Sequence, residues 1–259
     1  MVTVTSPWRD GWRLAVGTLT VLPVRPPEQV DARVARAMAT LAPLAFMPVA
    51  LIAGGLGFAT VALGWPSLVA GLLTVAATAW LTRAIHLDGL ADTVDGLGSG
   101  RPTEAALAIM RRGDVGPMGV VALVVVMALQ AIAAAEMLGR EGGWLGLVVA
   151  LCAGRAALAL VALRGVPAAR PDGLGAVFAS CVPPWLAITI WLVSSAALAA
   201  AAAWAGSNWW LGVVAAAAAA AAVLALVRTA VRKLGGTTGD VLGAGVELAT
   251  TALLVMLAR

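Results

Sequence analysis

Charge is what this 259-residue chain has least of: Asp, Glu, Lys and Arg together make up 12% of it, while 61% of its residues are hydrophobic. A water-soluble domain carries roughly twice that charge, so composition excludes one and points to a polytopic membrane protein. Cysteine is nearly absent. Cys152 and Cys181 sit in apolar surroundings without a CxxC spacing, which leaves them inert and excludes a thiolate metal or redox motif. No long repeat, linker or soluble domain interrupts the chain, so residues 1–259 read as one membrane domain, with an interfacial amino-terminal segment (1–35) followed by a transmembrane bundle (36–259). The amino-terminal segment lacks both a long apolar stretch and a cleavage-site pattern. Its alternation of Trp8, Trp12, Leu14, Leu19 and Leu22 with Arg9, Asp10 and Arg13 predicts an amphipathic helix on the membrane surface, not a signal peptide.

What is present in abundance is apolar sequence in lengths suited to a bilayer. Cutting it at charges and turn residues predicts an all-α helical bundle of about seven spans, near 36–62, 66–82, 115–135, 144–163, 183–204, 209–227 and 241–258. Each approaches the roughly 20 residues that cross a hydrocarbon core. The Ala215–Ala222 run is a good helix former that permits close helix approach, so it belongs to the sixth span. Fourteen of the Lys and Arg side chains fall in segments that alternate spans place on one side, and only Arg140 and Arg259 on the other. Basic residues stay on the cytoplasmic side, which predicts the amino terminus inside and the carboxyl terminus outside. The net charge of +4 follows from this asymmetry and from anionic headgroups, so it argues for no nucleic-acid partner.

Against this background the segment from His86 to Gly96 stands out. Asp88, Asp92 and Asp95 recur at i, i+4 and i+7, and on a helix they share an arc of roughly 60°. Like charges on one stripe repel, and a divalent cation is the natural compensation. An all-oxygen donor set favours Mg²⁺ or Mn²⁺ over zinc. A solvated acidic face would mix in Lys, Glu and Gln, whereas the neighbours here are Gly, Ala, Leu, Thr and Val. His86, the only histidine, lies about 160° from the stripe, which favours packing or support of a ligand over metal ligation.

Three segments on the same predicted side add chemistry: His86 through Arg111, Arg112 and Asp114; Arg164 through Arg170 to Gly175; and Arg232-Lys233-Leu-Gly235-Gly236-Thr237-Thr238-Gly239-Asp240 opening the last span. A glycine-rich stretch feeding a helix amino terminus suits a phosphate, although alone such a turn is a weak signal. Two charges fall inside spans, Arg155 and Glu247. An ionised group at the bilayer centre costs on the order of 3 kcal/mol, so they are expected either to pair with each other or to meet substrate.

Taken together, the His86–Gly96 motif, Arg-Arg-Gly-Asp114-Val-Gly116-Pro-Met-Gly119, Arg170…Gly173-Leu-Gly175 and Gly235-Gly-Thr-Thr-Gly-Asp240…Glu247 resemble the cobalamin synthase family, adenosylcobinamide-GDP ribazoletransferases. The resemblance runs in order from Thr20-Val-Leu-Pro23 to the last span. It implies a Mg²⁺-dependent inner-membrane enzyme of late vitamin B12 assembly that joins adenosylcobinamide-GDP to α-ribazole, or its 5′-phosphate, and releases GMP. The residues fit that chemistry by themselves: Asp88, Asp92 and Asp95 would hold one or two Mg²⁺ as catalytic residues, and Asp92, for its central place, would also accept the nucleophile's proton. Arg111, Arg112, Arg232 and Lys233 would clamp phosphate, the Gly235–Asp240 turn would hold a nucleotide or ribazole phosphate, and Asp114, Arg170, Arg155, Glu247 and His86 join them as candidate substrate contacts. Where the family pattern carries a second acidic residue three positions after Glu247, this chain has Thr250.

Other metal-dependent membrane enzymes, CDP-alcohol phosphotransferases and prenyltransferases, also use Asp-rich helix ends. The Asp spacing and the missing Ala-Arg pair count against the first, and the lack of a second Asp-rich motif against the other. A transporter is disfavoured because the carboxylates cluster at one face instead of the midplane. Nothing in the sequence excludes an oligomer.

Overall fold

A backbone in hydrocarbon must satisfy its N–H and C=O groups within its own segment, which is why the apolar runs fold as helices. The computed structural model describes residues 6–259. Six helical stretches are long and apolar enough to cross a membrane. They are α2 (Ala32–Ala45) joined to α3 (Met47–Ala62), α7 (Pro117–Leu138), α8 (Gly143–Ala153) continued through a 3₁₀ turn into α9 (Ala157–Val161), α11 (Pro184–Trp204), α12 (Trp210–Leu234) and α13 (Gly239–Leu257). The remaining expected span is a broken one. α4 (Ser67–Leu81) has 15 residues, roughly 22 Å of rise against a core of about 30 Å. The chain then bends by 91° into α5 (Ile85–Gly98), which carries the Asp motif. The segment after the second predicted span, which carries the Asp motif, therefore forms a helix of its own. The sixth span also runs further than expected, to Leu234, because Arg228, Arg232 and Lys233 ride on its last turns with their charged heads free to reach polar surroundings.

Tryptophans mark the two ends of the bundle. Trp65, Trp204, Trp209 and Trp210 are exposed near the turns at one end, and Trp8, Trp12, Trp80 and Trp185 near the other, the distribution expected of two interfacial belts. Arg36, Arg83, Arg170 and Lys233 all bond to carbonyls at the second end, whereas Arg140 donates to the carbonyls of Ala258 and Arg259 at the first. The charge split read from the sequence is thus a split between two ends of the structure. Since Trp80 lies one turn before the break, α5 runs across the basic end of the bundle instead of through it.

The predicted amino-terminal helix is present as α1 (Pro7–Leu19). Its buried side packs along α2, where Gly11 abuts Ala37 and Met38, and its other side presents Trp8 and Trp12. Two short helices, α6 (Thr103–Ile109) and α10 (Gly173–Phe178), complete the basic end.

Candidate active site

The three aspartates share a helix face, but they do not share an environment. Asp88 is exposed, Asp92 half-buried and Asp95 buried, because α5 descends towards α6 and the start of α7 as it proceeds. Both Asp95 oxygens are engaged: one accepts from the Gly116 N–H at 2.7 Å, the other from the Gly119 N–H at 2.8 Å. Asp95 therefore caps the amino terminus of α7, whose first N–H groups have no partner within the helix. Of the three aspartates expected to hold the metal, Asp95 is thus the one whose two oxygens already have backbone partners.

The carboxylate that joins Asp88 and Asp92 comes instead from α13. Gly89 lets α5 approach closely; a methyl group there would sit 2.8 Å from the Asp240 carbonyl oxygen. Burial, reinforced by Asp88, Asp240 and Asp95, pushes the Asp92 carboxyl up to about 6, with Arg170 opposing the shift. Asp240 sits in the first turn of α13, where Thr238 is the N-cap: its hydroxyl accepts from Val241 N–H and donates to the Asp240 carboxylate at 3.1 Å.

Arg170 reaches this cluster from the loop between α9 and α10. Two backbone bonds tie that loop to the Gly-rich segment, Ala169 N–H to Thr237 O and Thr237 N–H to Pro167 O, each at 2.9 Å. Gly236 permits the tie, since a methyl group would meet the Pro167 carbonyl at 2.4 Å. The two segments that the sequence singled out separately thus form one wall. Between them opens a cavity of about 220 Å³ lined by Arg170, Asp172, Gly173, Thr238, Gly239 and Asp240. Arg170 donates to the Leu107 carbonyl at 2.8 Å, while its buried Nε has no protein partner. Burial and the neighbouring Arg111 lower its pKa. Arg111 itself bridges Asp172 at 3.3 Å.

The other expected contacts are less convergent. Arg112 and Asp114 are exposed on the turn before α7. Arg232 bonds back to the Arg228 carbonyl on its own helix, and Lys233 donates to Leu97 O at 3.3 Å. Gly235 ends α12 in the left-handed conformation, with φ of 79°. His86 is buried away from the carboxylate stripe, against Gly243. Of the two outcomes expected for Arg155 and Glu247, a direct ion pair is not formed. Arg155, 1% exposed, lies over the Phe46 ring and donates to Leu151 O at 2.8 Å, with Thr250 Oγ1 at 3.5 Å. Glu247 accepts from Gln130 at 2.8 Å, and Gln130 also reaches Thr251 at 3.0 Å. Inside the bundle Glu247 is met by a neighbouring amide, whereas Arg155 Nε and Nη2 have no hydrogen-bond partner among the described residues; Gln130, a lone amide on α7, carries no spacing signal that would have revealed its role.

The site fits a magnesium ion by the chemistry of its donors. Among the described residues no three His, Cys, Asp or Glu side chains gather as a ready-made metal cage. Mg²⁺ does not require one, because it is commonly held by one or two carboxylates with waters and substrate phosphates completing the octahedron. Asp88 and Asp92, backed by Asp240, supply oxygen donors and a negative charge that Arg170 offsets only in part.

The family model described as cobalamin-5-phosphate synthase matches residues 11–258. Similar proteins named adenosylcobinamide-GDP ribazoletransferase include one from Nocardioides sp., 45% identical over 95% of this chain and 97% of that protein. One from Frankia casuarinae is 36% identical over 95% of this chain and 93% of its own. One from Bradyrhizobium diazoefficiens is 38% identical over 95% and 92%. No solved structure matches the chain.

Proposed function

The chain belongs to the cobalamin-5-phosphate synthase family, and from that membership and the meeting of Asp88, Asp92 and Asp240 with Arg170 we propose that it joins adenosylcobinamide-GDP to α-ribazole or α-ribazole 5′-phosphate. In this reading the ribose hydroxyl attacks the phosphoryl group on the corrinoid arm. A new P–O bond forms, the bond to GMP breaks, and the products are GMP and adenosylcobalamin or its 5′-phosphate. Such a transfer depends on alignment and charge neutralisation more than on covalent catalysis. Mg²⁺ on Asp88 and Asp92 would supply the neutralisation of the pyrophosphate.

The chain's own residues supply the rest. Asp92, whose carboxyl burial and the neighbouring carboxylates hold at about 6, accepts the nucleophile's proton. Arg170 faces the phosphate from the cavity wall, where its Nε has no protein partner. Arg111 stands behind Arg170 and keeps Asp172 engaged. The carboxylate cluster is the observation that carries this reading.

The test is direct. Membranes containing the protein, supplied with adenosylcobinamide-GDP, Mg²⁺ and α-ribazole or its phosphate, are expected to release GMP in step with a corrinoid bearing the lower nucleotide loop. Omitting the ribazole or adding EDTA stops the release, because a site built for transfer excludes water as nucleophile. Steady GMP release without ribazole, or efficient transfer from a CDP-alcohol, rejects the proposal.

The same reading places the basic end in the cytoplasm, on the inner membrane, where nucleotide substrates and Mg²⁺ are found. A reporter fused after Lys233 is expected to read cytoplasmic and one fused after Arg140 external. The reverse pattern would leave the carboxylates facing away from the nucleotide pool.

A further inference from the structure

α5 takes its direction from a joint that its local sequence disfavours. α4 closes with a pair of hydrogen bonds, Ala84 N–H to Ala79 O at 2.8 Å and Arg83 N–H to Trp80 O at 3.1 Å. In this arrangement the residue just past the helix takes the left-handed conformation and is usually glycine. Here it is Arg83, with φ of 55°, and Ala84 follows at 54°. Ala84 is also the N-cap of α5, and it has no side-chain oxygen to hold the first turn. A glycine and then a serine or aspartate would suit this backbone better.

What arginine offers at this point is reach. Its Nη2 donates to Gly17 O at 2.7 Å, in the last turn of α1. There the carbonyls lack partners within the helix, and the negative end of the helix dipole favours a cation. From the other side, the Val21 N–H donates to Leu81 O, the last residue of α4, at 2.8 Å. The exit of α1 and the end of α4 are thereby tied twice, at the point where the chain turns 91° to present Asp88 and Asp92.

We propose that Arg83 is a positioning residue. Its bond to the Gly17 carbonyl holds the left-handed joint at the angle that brings Asp88 and Asp92 up to Asp240, and it links that angle to the helix whose tryptophans lie at the membrane surface. The kinetic consequence rests on the transfer reaction proposed above; the geometric one does not.

Arg83→Gly separates the two roles this residue can play. Glycine is what the backbone prefers, so if the side chain is idle the variant turns over at the wild-type rate. The clasp instead requires a fall in kcat of about tenfold with KM for both substrates held within about twofold. Arg83→Lys, which keeps a charged donor, recovers part of the loss, and Arg83→Gln recovers less. If the glycine variant does not accumulate, these two carry the comparison.

Spin labels at Gly98→Cys and Asn208→Cys, with Cys152 and Cys181 replaced by Ala, read the orientation of α5 without any assay of activity. The distance distribution is expected to be narrow with Arg83 and broadened in Arg83→Gly. An unchanged distribution overturns the proposal whatever happens to the rate, as does wild-type turnover in a folded Arg83→Gly protein. If the wild-type protein releases no GMP, the reaction assignment falls, and the distance measurement alone decides the clasp.

Discussion

Asp92→Asn is expected to make the protein freed of divalent cations more stable while removing nearly all of its turnover. The two effects share one cause. Asp92 stands half-buried on a stripe with Asp88 and Asp95 and faces Asp240, and burial with these charges raises it from 3.8 to about 6. A carboxylate whose pKa rises on folding binds its proton more tightly in the folded state, so it costs stability wherever it must ionise. The sign follows: the cost is absent below about pH 4, grows as pH rises through 6, and is complete above that. Asparagine keeps the size and removes the charge. Because Asp92 is only half-buried, the gain is modest, and it is read as a higher midpoint of thermal unfolding in EDTA at pH 7.5 that disappears at pH 4. Turnover, by contrast, loses both a metal-holding oxygen and the proton acceptor, a fall of at least about a hundredfold. A variant less stable than wild type at pH 7.5 in EDTA, or one that keeps its rate, contradicts the assignment of Asp92 to a strained, functional carboxylate.

Asp95, three residues along the same face, is expected to behave in the opposite way. Its oxygens accept from Gly116 and Gly119 at 2.7 and 2.8 Å, and the fit leaves no room for a side chain at Gly119, where a methyl group would lie 2.4 Å from the carboxylate. Asp95→Ala strands two N–H groups at the start of α7 and withdraws a negative charge from the positive end of its dipole. Hydrogen bonds to a charged group contribute about 1.5–3 kcal/mol each, so destabilisation of roughly 3 kcal/mol is expected. Asp95→Asn keeps one acceptor and loses about half as much. Turnover falls with stability in both, since the far end of α5 is released. The measurement is again thermal unfolding, paired with Mg²⁺ titration. Wild-type stability combined with lost Mg²⁺ affinity in Asp95→Asn would make Asp95 a ligand and not a brace.

The contrast between these neighbours shows where reading the sequence reaches its limit. Hydropathy located the spans, and the uneven distribution of Arg and Lys separated the two ends, because a segment in lipid must satisfy its backbone by itself and its fate depends on its own composition. Helical phase placed three carboxylates on one face and His86 on another, since periodicity within a helix is local. The motif and its companions likewise carried the family. The tertiary structure decided everything that depended on which helices became neighbours. The bend at Arg83 and Ala84 has no proline or glycine to announce it, and Arg83 bonds there to the Gly17 carbonyl of α1. Asp240 joined Asp92 because Gly89 let α13 approach, and Asp95 was drawn away because α7 began beneath it. Arg155 and Glu247 settled on Leu151, Phe46 and Gln130 instead of each other, since a charge in a low-dielectric interior bonds to whatever polar group packing brings within about 3 Å, and packing is a property of the whole bundle.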